Sequence, residues 1–356
     1  MALTYQDINA FTTNHIVPKA TEVIFKNDPL LTRILSRKNV WPGGLQIQRP
    51  LTYNSLVADA FTRGDMFDIS YRKTDTAFVV NAKFYYANVS LFGTDDVLNR
   101  GENAAFSIVE SKMNNASLSM AQALALNLYR DGSGSASSTR HLDGLMAWID
   151  DGTSNGTYTG GTTYVQSFAT VGGIARADVW TCNSTGDDTT YVNVNGINSY
   201  TSRAVSTFSL NDLNRAYNYA SFSNDRPDML IVTLGAWNRI WNATTPLQRY
   251  TNNDTDLAKV GFDSFRFNSA DVVISKYFQD VVTGYGAGST LGAILGLNTK
   301  YLELYVSDNK KFQFGFTGFK EAQNTLDVSG QFIFGGNLIV ASPRTCFKMV
   351  GTGLVS

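Results

Sequence analysis

The chain has 356 residues, of which 43% are hydrophobic, 17% charged and 12% aromatic, and its formal net charge is −1. That length and apolar content allow one elaborate fold or two domains around a large core, and exclude general disorder. The balanced charge, with no polybasic tail, argues against sequence-specific nucleic-acid binding.

Residues 1–40 read as an arm with short helices. Pro18 and Pro29 interrupt it, and its apolar residues, Ile8 and Phe11 through Ile34 and Leu35, are too sparse for a core of their own. Trp41-Pro42-Gly43-Gly44 is a break. An extended stretch follows over 45–50, then a polar, irregular segment over 54–75. Ala77–Leu91 reads as one strand, with Phe78, Val80, Ala82, Phe84 and Tyr86 alternating with Val79, Asn81, Lys83 and Tyr85. The spacing predicts a long helix over 103–129. Ala105, Val109, Met113, Ala116, Met120, Leu124 and Leu128 stay on one stripe, with Asn103 as N-cap and Asp131-Gly132 as the stop. Gly132–Ser138 is a linker by composition, and His141–Trp148 a short apolar segment.

From Asp150 to Tyr200 the chain is rich in Gly, Thr, Asn and Tyr, with turn signals at 151–152, 155–156 and 195–196, so short strands and exposed loops are expected. A second helix is expected over 209–220, capped by Ser209 or Asn211, with Leu210, Leu213, Ala216, Tyr217 and Ala220 on one face. Asp225–Asp228 reads as a turn, Met229–Leu234 as a buried strand, 237–248 as a helix, 270–275 as a strand and 284–288 as a loop. The end is β, over 301–306, 312–316, 325–334 and 338–340.

Two strands joined by a polar tip of roughly 20 residues make a long hairpin, and a lone hairpin is marginal in water. Low charge with many aromatics also suits an assembling protein, since interfaces favour aromatics over Lys and Glu. The hairpin is therefore expected to rest on a partner subunit, with packing on its own domain as the alternative.

In order, an arm, a long hairpin, a spine helix, a central α/β segment and C-terminal strands resemble the major capsid proteins of tailed bacteriophages, whose fold is named for phage Hong Kong 97. Leu210–Ala216, Arg226-Pro-Asp-Met-Leu-Ile-Val-Thr233, Trp237–Ile240, Asn298–Leu304 and Asn337–Arg344 look like family segments. The resemblance covers nearly the whole chain, although 150–205 match nothing specific. It implies an α+β Hong Kong 97-type fold: arm 1–40, extended hairpin 41–95, spine helix and first peripheral part 96–135, axial domain 136–294 and peripheral strands 295–356. It further implies self-assembly as hexamers and pentamers into an icosahedral shell around double-stranded DNA, with portal, scaffolding and decoration proteins as partners. Assembly in the host cytoplasm and residence in the virion follow. Trp41, Phe61, Met66 and Phe67 are placed at subunit interfaces, with intrachain core as the alternative, and Phe84 is placed in the core. The family's Lys–Asn cross-link finds no motif to match. An encapsulin-type nanocompartment shell resembles the same fold, and a β-rich carbohydrate-binding protein is the alternative from another class.

No enzyme, cofactor or metal is expected. His15 and His141 lie in no Gly-X-Ser-X-Gly context, there is no Walker A run, and glycines 284, 286 and 288 miss the dinucleotide spacing. Asn252, Asp254, Asp256 and Asp263 only loosely mimic a calcium loop, with Leu257 where glycine should stand. Cys182 and Cys346 have no CxxC, which excludes a disulfide framework and suggests reducing conditions. No signal peptide or apolar run of membrane length is read.

Overall fold

A computed structural model of the chain describes residues 28–52, 58–71, 74–92, 102–130, 140–149, 170–175, 197–198, 209–221, 224–244, 265–285, 292–321 and 327–351. The chain divides into two compact units. One comprises Met1–Ile47, Asn81–Gly144 and Glu303–Leu338, the other Gln48–Val80, Leu145–Leu302 and Ile339–Ser356.

Pro29, expected as an interruption, instead opens helix α1 (Pro29–Leu35). It takes the first helical position, where a missing N–H costs nothing. The Asp28 carboxylate accepts from the N–H groups of Leu30 and Leu31, both at 3.2 Å, and Leu30, Leu31, Ile34 and Leu35 are buried. Strand β1 (Asn39–Trp41) ends at the expected break, where Gly43 and Gly44 take φ of 126° and 103°. Strand β2 (Gln46–Thr52) follows.

The single strand expected over 77–91 is two, β3 (Asp75–Asn81) and β4 (Lys83–Leu91). The break at Ala82 resets which residues face inward. Phe78 and Val80 are buried in β3, but in β4 Val89 is buried while Phe84 is 57% exposed. The core placement of Phe84 is thereby corrected, because a one-residue slip turns every side chain to the other face.

Helix α2 (Glu102–Tyr129) has 28 residues, about 42 Å at 1.5 Å per residue. Glu102 opens it, so Asn103 lies in the first turn and is not the cap. Val109, Met113, Ala116, Met120, Leu124 and Leu128 of the expected stripe are buried. The expected stop at 131–132 and the turn signals at 151–152, 155–156 and 195–196 lie outside the described residues.

Helix α3 (Leu145–Trp148) is followed by short strands β5 (Thr170–Val171), β6 (Ile174–Ala175) and β7 (Ile197–Asn198). Ser209 caps α4 (Leu210–Ala220) by accepting from the Asn211 N–H. Strand β8 (Met229–Val232) stops two residues early, because Leu234 begins helix α5 (Leu234–Thr244). Strands β9 (Phe265–Phe267) and β10 (Ala270–Ile274), helix α6 (Lys276–Tyr285) and strand β11 (Gly292–Leu297) complete this stretch; β9, α6 and β11 were not foreseen. The end comprises β12 (Leu302–Ser307), β13 (Gln313–Phe316), β14 (Lys320–Glu321), β15 (Val328–Val340) and β16 (Phe347–Gly351). Strand β15 is one 13-residue element where two were expected.

In the first unit β15 is the hub. The sheet runs β1-β12-β15-β13, and β4 and β14 also pair with β15. Strand β4 runs antiparallel to it from Leu91 opposite Val328 to Lys83 opposite Gly336, and α2 packs on β4. The fully buried Asn337 donates to the Asn81 carbonyl and the Asp143 carboxylate, both at 2.8 Å, and accepts from the Asp143 N–H at 3.1 Å. Tyr85 accepts from the Leu142 N–H at 2.8 Å, and burial pushes its phenol up to about 12.

The second unit holds a mixed sheet, β7-β16-β11-β8-β10-β9, in which β8 is parallel to β10 and antiparallel to β11. Every residue of β8 and β11 is buried, as expected of strands covered on both faces. Leu213, Tyr217, Leu230, Ile240, Val272 and Phe347 share one apolar cluster. The Asp225–Asp228 turn is tied to residues 299–301: Asp228 accepts from the Thr299 N–H and hydroxyl, and Asp225 from Lys300 Nζ and the Tyr301 hydroxyl.

Candidate assembly surface

Strands β2 and β3 form a two-stranded sheet whose base is well held. Ile47, Leu51, Phe78 and Val80 are buried. The Phe78 ring meets Trp148 edge-on at 5.2 Å, and the Val79 N–H donates to the Gly172 carbonyl at 2.7 Å. Gly172 takes φ 54°, and a Cβ there would lie 2.6 Å from the Phe78 ring, so only glycine lets the chain pass so close. Beyond the Thr52–Asp75 hydrogen bond of 2.8 Å, this support ends.

Residues 58–71 are all exposed and join no ladder. They are nevertheless shaped by local bonds. The Thr62 N–H and hydroxyl donate to the Asp65 carboxylate at 2.6 and 2.7 Å, the Asp65 N–H donates back to the Thr62 carbonyl at 3.1 Å, and Gly64 supplies a φ of 103°. Those two bonds from Thr62 hold the Asp65 carboxyl below the ordinary carboxylate range. Across this turn the Phe61 and Phe67 rings meet edge-to-face at 5.1 Å.

The turn therefore presents apolar side chains to solvent. Phe61 and Phe67 are each 68% exposed, Met66 99%, Ile69 94% and Tyr71 93%. Single exposed apolar residues are ordinary; five large ones within eleven positions make this turn the candidate surface. Fully burying such a side chain is worth about 1.5–3 kcal/mol. Ile69 and Tyr71 were not singled out from the sequence, although the alternation Phe67, Ile69, Tyr71 is legible there.

Trp41 stands apart from Phe61, Met66 and Phe67. It is only 9% exposed, and it ends β1, which lies parallel to β12. Its indole N–H is buried with no hydrogen-bond partner among the described residues.

Among the described residues no group of three or more His, Cys, Asp or Glu side chains could hold a metal ion, and no helix is long and apolar enough to cross a membrane. Burial pushes the Cys346 thiol up to about 12. His15, Cys182 and the acidic stretch 252–263 lie outside the described residues.

No family model matches the sequence, and no curated protein does. Solved structures do match. The capsid asymmetric unit of cyanophage A-1(L) is 14% identical, with a TM-score of 0.56, over 91% of this chain and 92% of that one. The chain has the phage major capsid fold. The capsid of a native GTA particle is similar in the same way, at 9% identity and TM-score 0.54, over 90% of each chain. The match to these capsid chains runs nearly end to end in both directions, and its mixture of helices and sheets is α+β.

Proposed function

We propose that the chain is a structural shell subunit: a major capsid protein assembling as hexamers and pentamers into an icosahedral head around double-stranded DNA. The observation that carries the reading is the hairpin tip, five large apolar side chains held out by an ordered turn on a chain with the capsid fold. Covering a surface of this kind is favourable, and in a self-assembling shell the cover is another copy. The net charge of −1 suits a wall that encloses DNA without reading its sequence. The role is structural and not enzymatic. Portal, scaffolding and decoration proteins are the further partners, the host cytoplasm the place of assembly and the virion its destination.

The test is negative-stain electron microscopy with sedimentation velocity on the full chain, followed by analysis of particle contents. Closed shells, capsomers or tubes are expected, with DNA in particles made during infection. A stable 39.0 kDa monomer at every concentration would overturn the proposal. Particles holding a protein cargo and no genome would replace the phage head with an encapsulin-type compartment.

A further inference from the structure

The chain has seven methionines and two cysteines, and folding sorts their sulfurs sharply. Met113, Met120, Met146, Met229 and Met349 are buried, none more than 3% exposed, whereas Met66 is 99% exposed. Cys346 is fully buried, and burial pushes its thiol up to about 12, so it offers no thiolate at neutral pH. Met1 and Cys182 lie outside the described residues. Among the described residues one sulfur is therefore open to a small solute, and it stands in the hairpin turn beside Phe67.

The turn itself keeps this sulfur outside. Thr62 donates twice to the Asp65 carboxylate, and Gly64 takes the left-handed φ that lets the chain reverse just before Met66. The Phe61 and Phe67 rings close on each other at 5.1 Å, so the apolar contact across the turn is made by the rings and not by the thioether. Oxidation would turn Met66 from a flexible apolar side chain into a polar one carrying an S=O acceptor. An acceptor of that kind costs free energy to bury unless a donor meets it. The subunit, in which nothing covers Met66, bears the change at no cost; a covered tip does not.

Building on the shell reading, we propose that Met66 is a reversible modification site: oxygen transfer from a peroxide to its thioether in the free subunit blocks assembly, and assembly in turn shields it. With hydrogen peroxide the sulfur lone pair attacks one oxygen, an S–O bond forms and the O–O bond breaks. The proton on the transferred oxygen passes to the departing one, which leaves as water. The thioether loses two electrons and the peroxide gains them. Two thiols return those electrons through methionine sulfoxide reductases, giving back the thioether with a disulfide and water.

The test treats the full-chain subunit and the assembled particles separately with hydrogen peroxide, removes it with catalase and maps the added oxygen by peptide mass spectrometry. In the subunit Met66 should be oxidised ahead of the five buried methionines, and in particles much more slowly. The oxidised subunit should need about tenfold or more the concentration for half-assembly, with its urea midpoint unmoved. Both epimer-specific reductases with dithiothreitol should restore the original concentration. Met66→Leu has its own half-assembly concentration, and peroxide should leave that value where it is. Oxidised wild type that assembles at the untreated concentration would overturn the inference and leave the shell reading standing. So would an equal loss in Met66→Leu, which would place the sensitive sulfur elsewhere, or equal oxidation of Met66 in subunit and particle. A wild-type chain that forms no particles would overturn the shell reading and this inference with it.

Discussion

Asp28 ties helix α1 to the long helix, and the strength of that tie can be worked out. The carboxylate is 2% exposed and accepts three hydrogen bonds: from the Leu30 and Leu31 N–H groups and from the hydroxyl of the fully buried Tyr129 at 2.8 Å. Asp28→Ala removes a helix cap, worth about 1 kcal/mol, and takes this acceptor from a buried hydroxyl, which costs about 1–3 kcal/mol. The expected loss is about 2–4 kcal/mol. Tyr129→Phe removes the hydroxyl but leaves the cap, so about 1 kcal/mol is expected. The two changes share one hydrogen bond, so the double variant should lose less than the sum of the singles. Urea unfolding of the unassembled subunit at low protein concentration, read as a midpoint shift at constant slope, measures all three. A loss below about 0.5 kcal/mol for Asp28→Ala, typical of an uninvolved surface site, would refute the reasoning, and so would full additivity.

Other outcomes follow from the packing and the charges. Gly296→Ala places a Cβ 2.0 Å from the Phe347 ring, in a fully buried strand with nowhere to move, and should cost about 1–3 kcal/mol or more in the same unfolding assay; a neutral result would contradict the packing. Burial holds the Asp143 carboxyl above its ordinary 3.8, against the Asn337 hydrogen bond and the Lys83 charge. Stability from such a group is fully present below 3.8 and lost as pH rises through the folded-state value. Asp143→Asn should therefore make the urea midpoint fall less steeply over that rise, and an unchanged slope would count against the assignment. Asp225 acts in the opposite sense, since the Tyr301 hydroxyl and then Lys300 hold it below 3.8. Its contribution is present above 3.8 and lost as pH falls through the lowered value, so Asp225→Asn should flatten the acid side of the same profile.

The long helix was legible because its signal is local: one stripe at helical spacing with no Gly or Pro inside, and six of its seven positions are seen buried. The hairpin was legible as polar sequence between two strands. What was missed depends on contacts distant in sequence. Nothing near Ala82 announces that the inward face changes there; the pairing of β4 with β15, some 240 residues on, decides it. Gly335-Gly336 reads as a strand break, yet β15 passes through. A Cβ at 336 would meet the Tyr305 carbonyl at 2.1 Å, and one at 335 would meet the Phe84 ring at 3.0 Å, so here glycine serves close approach of neighbouring chain. Strand β11, Gly-Ala-Ile-Leu-Gly-Leu, has no alternation because both of its faces are buried. At the tip, Met66 and the two Phe residues were readable from composition, whereas Trp41 could not be told from them. In the folded chain Trp41 is buried at the end of β1, while the tip residues are exposed.

The central claim is that the hairpin tip exists to be covered by another copy. The most direct measurement compares wild type with Phe61→Ser/Met66→Ser/Phe67→Ser by sedimentation velocity and electron microscopy at matched concentration, alongside urea unfolding of the unassembled subunits. These side chains are exposed in the subunit, so its stability should change by no more than about 0.5 kcal/mol while the fast-sedimenting particles disappear. A variant that assembles into the same particles at the same concentration as wild type would contradict the account.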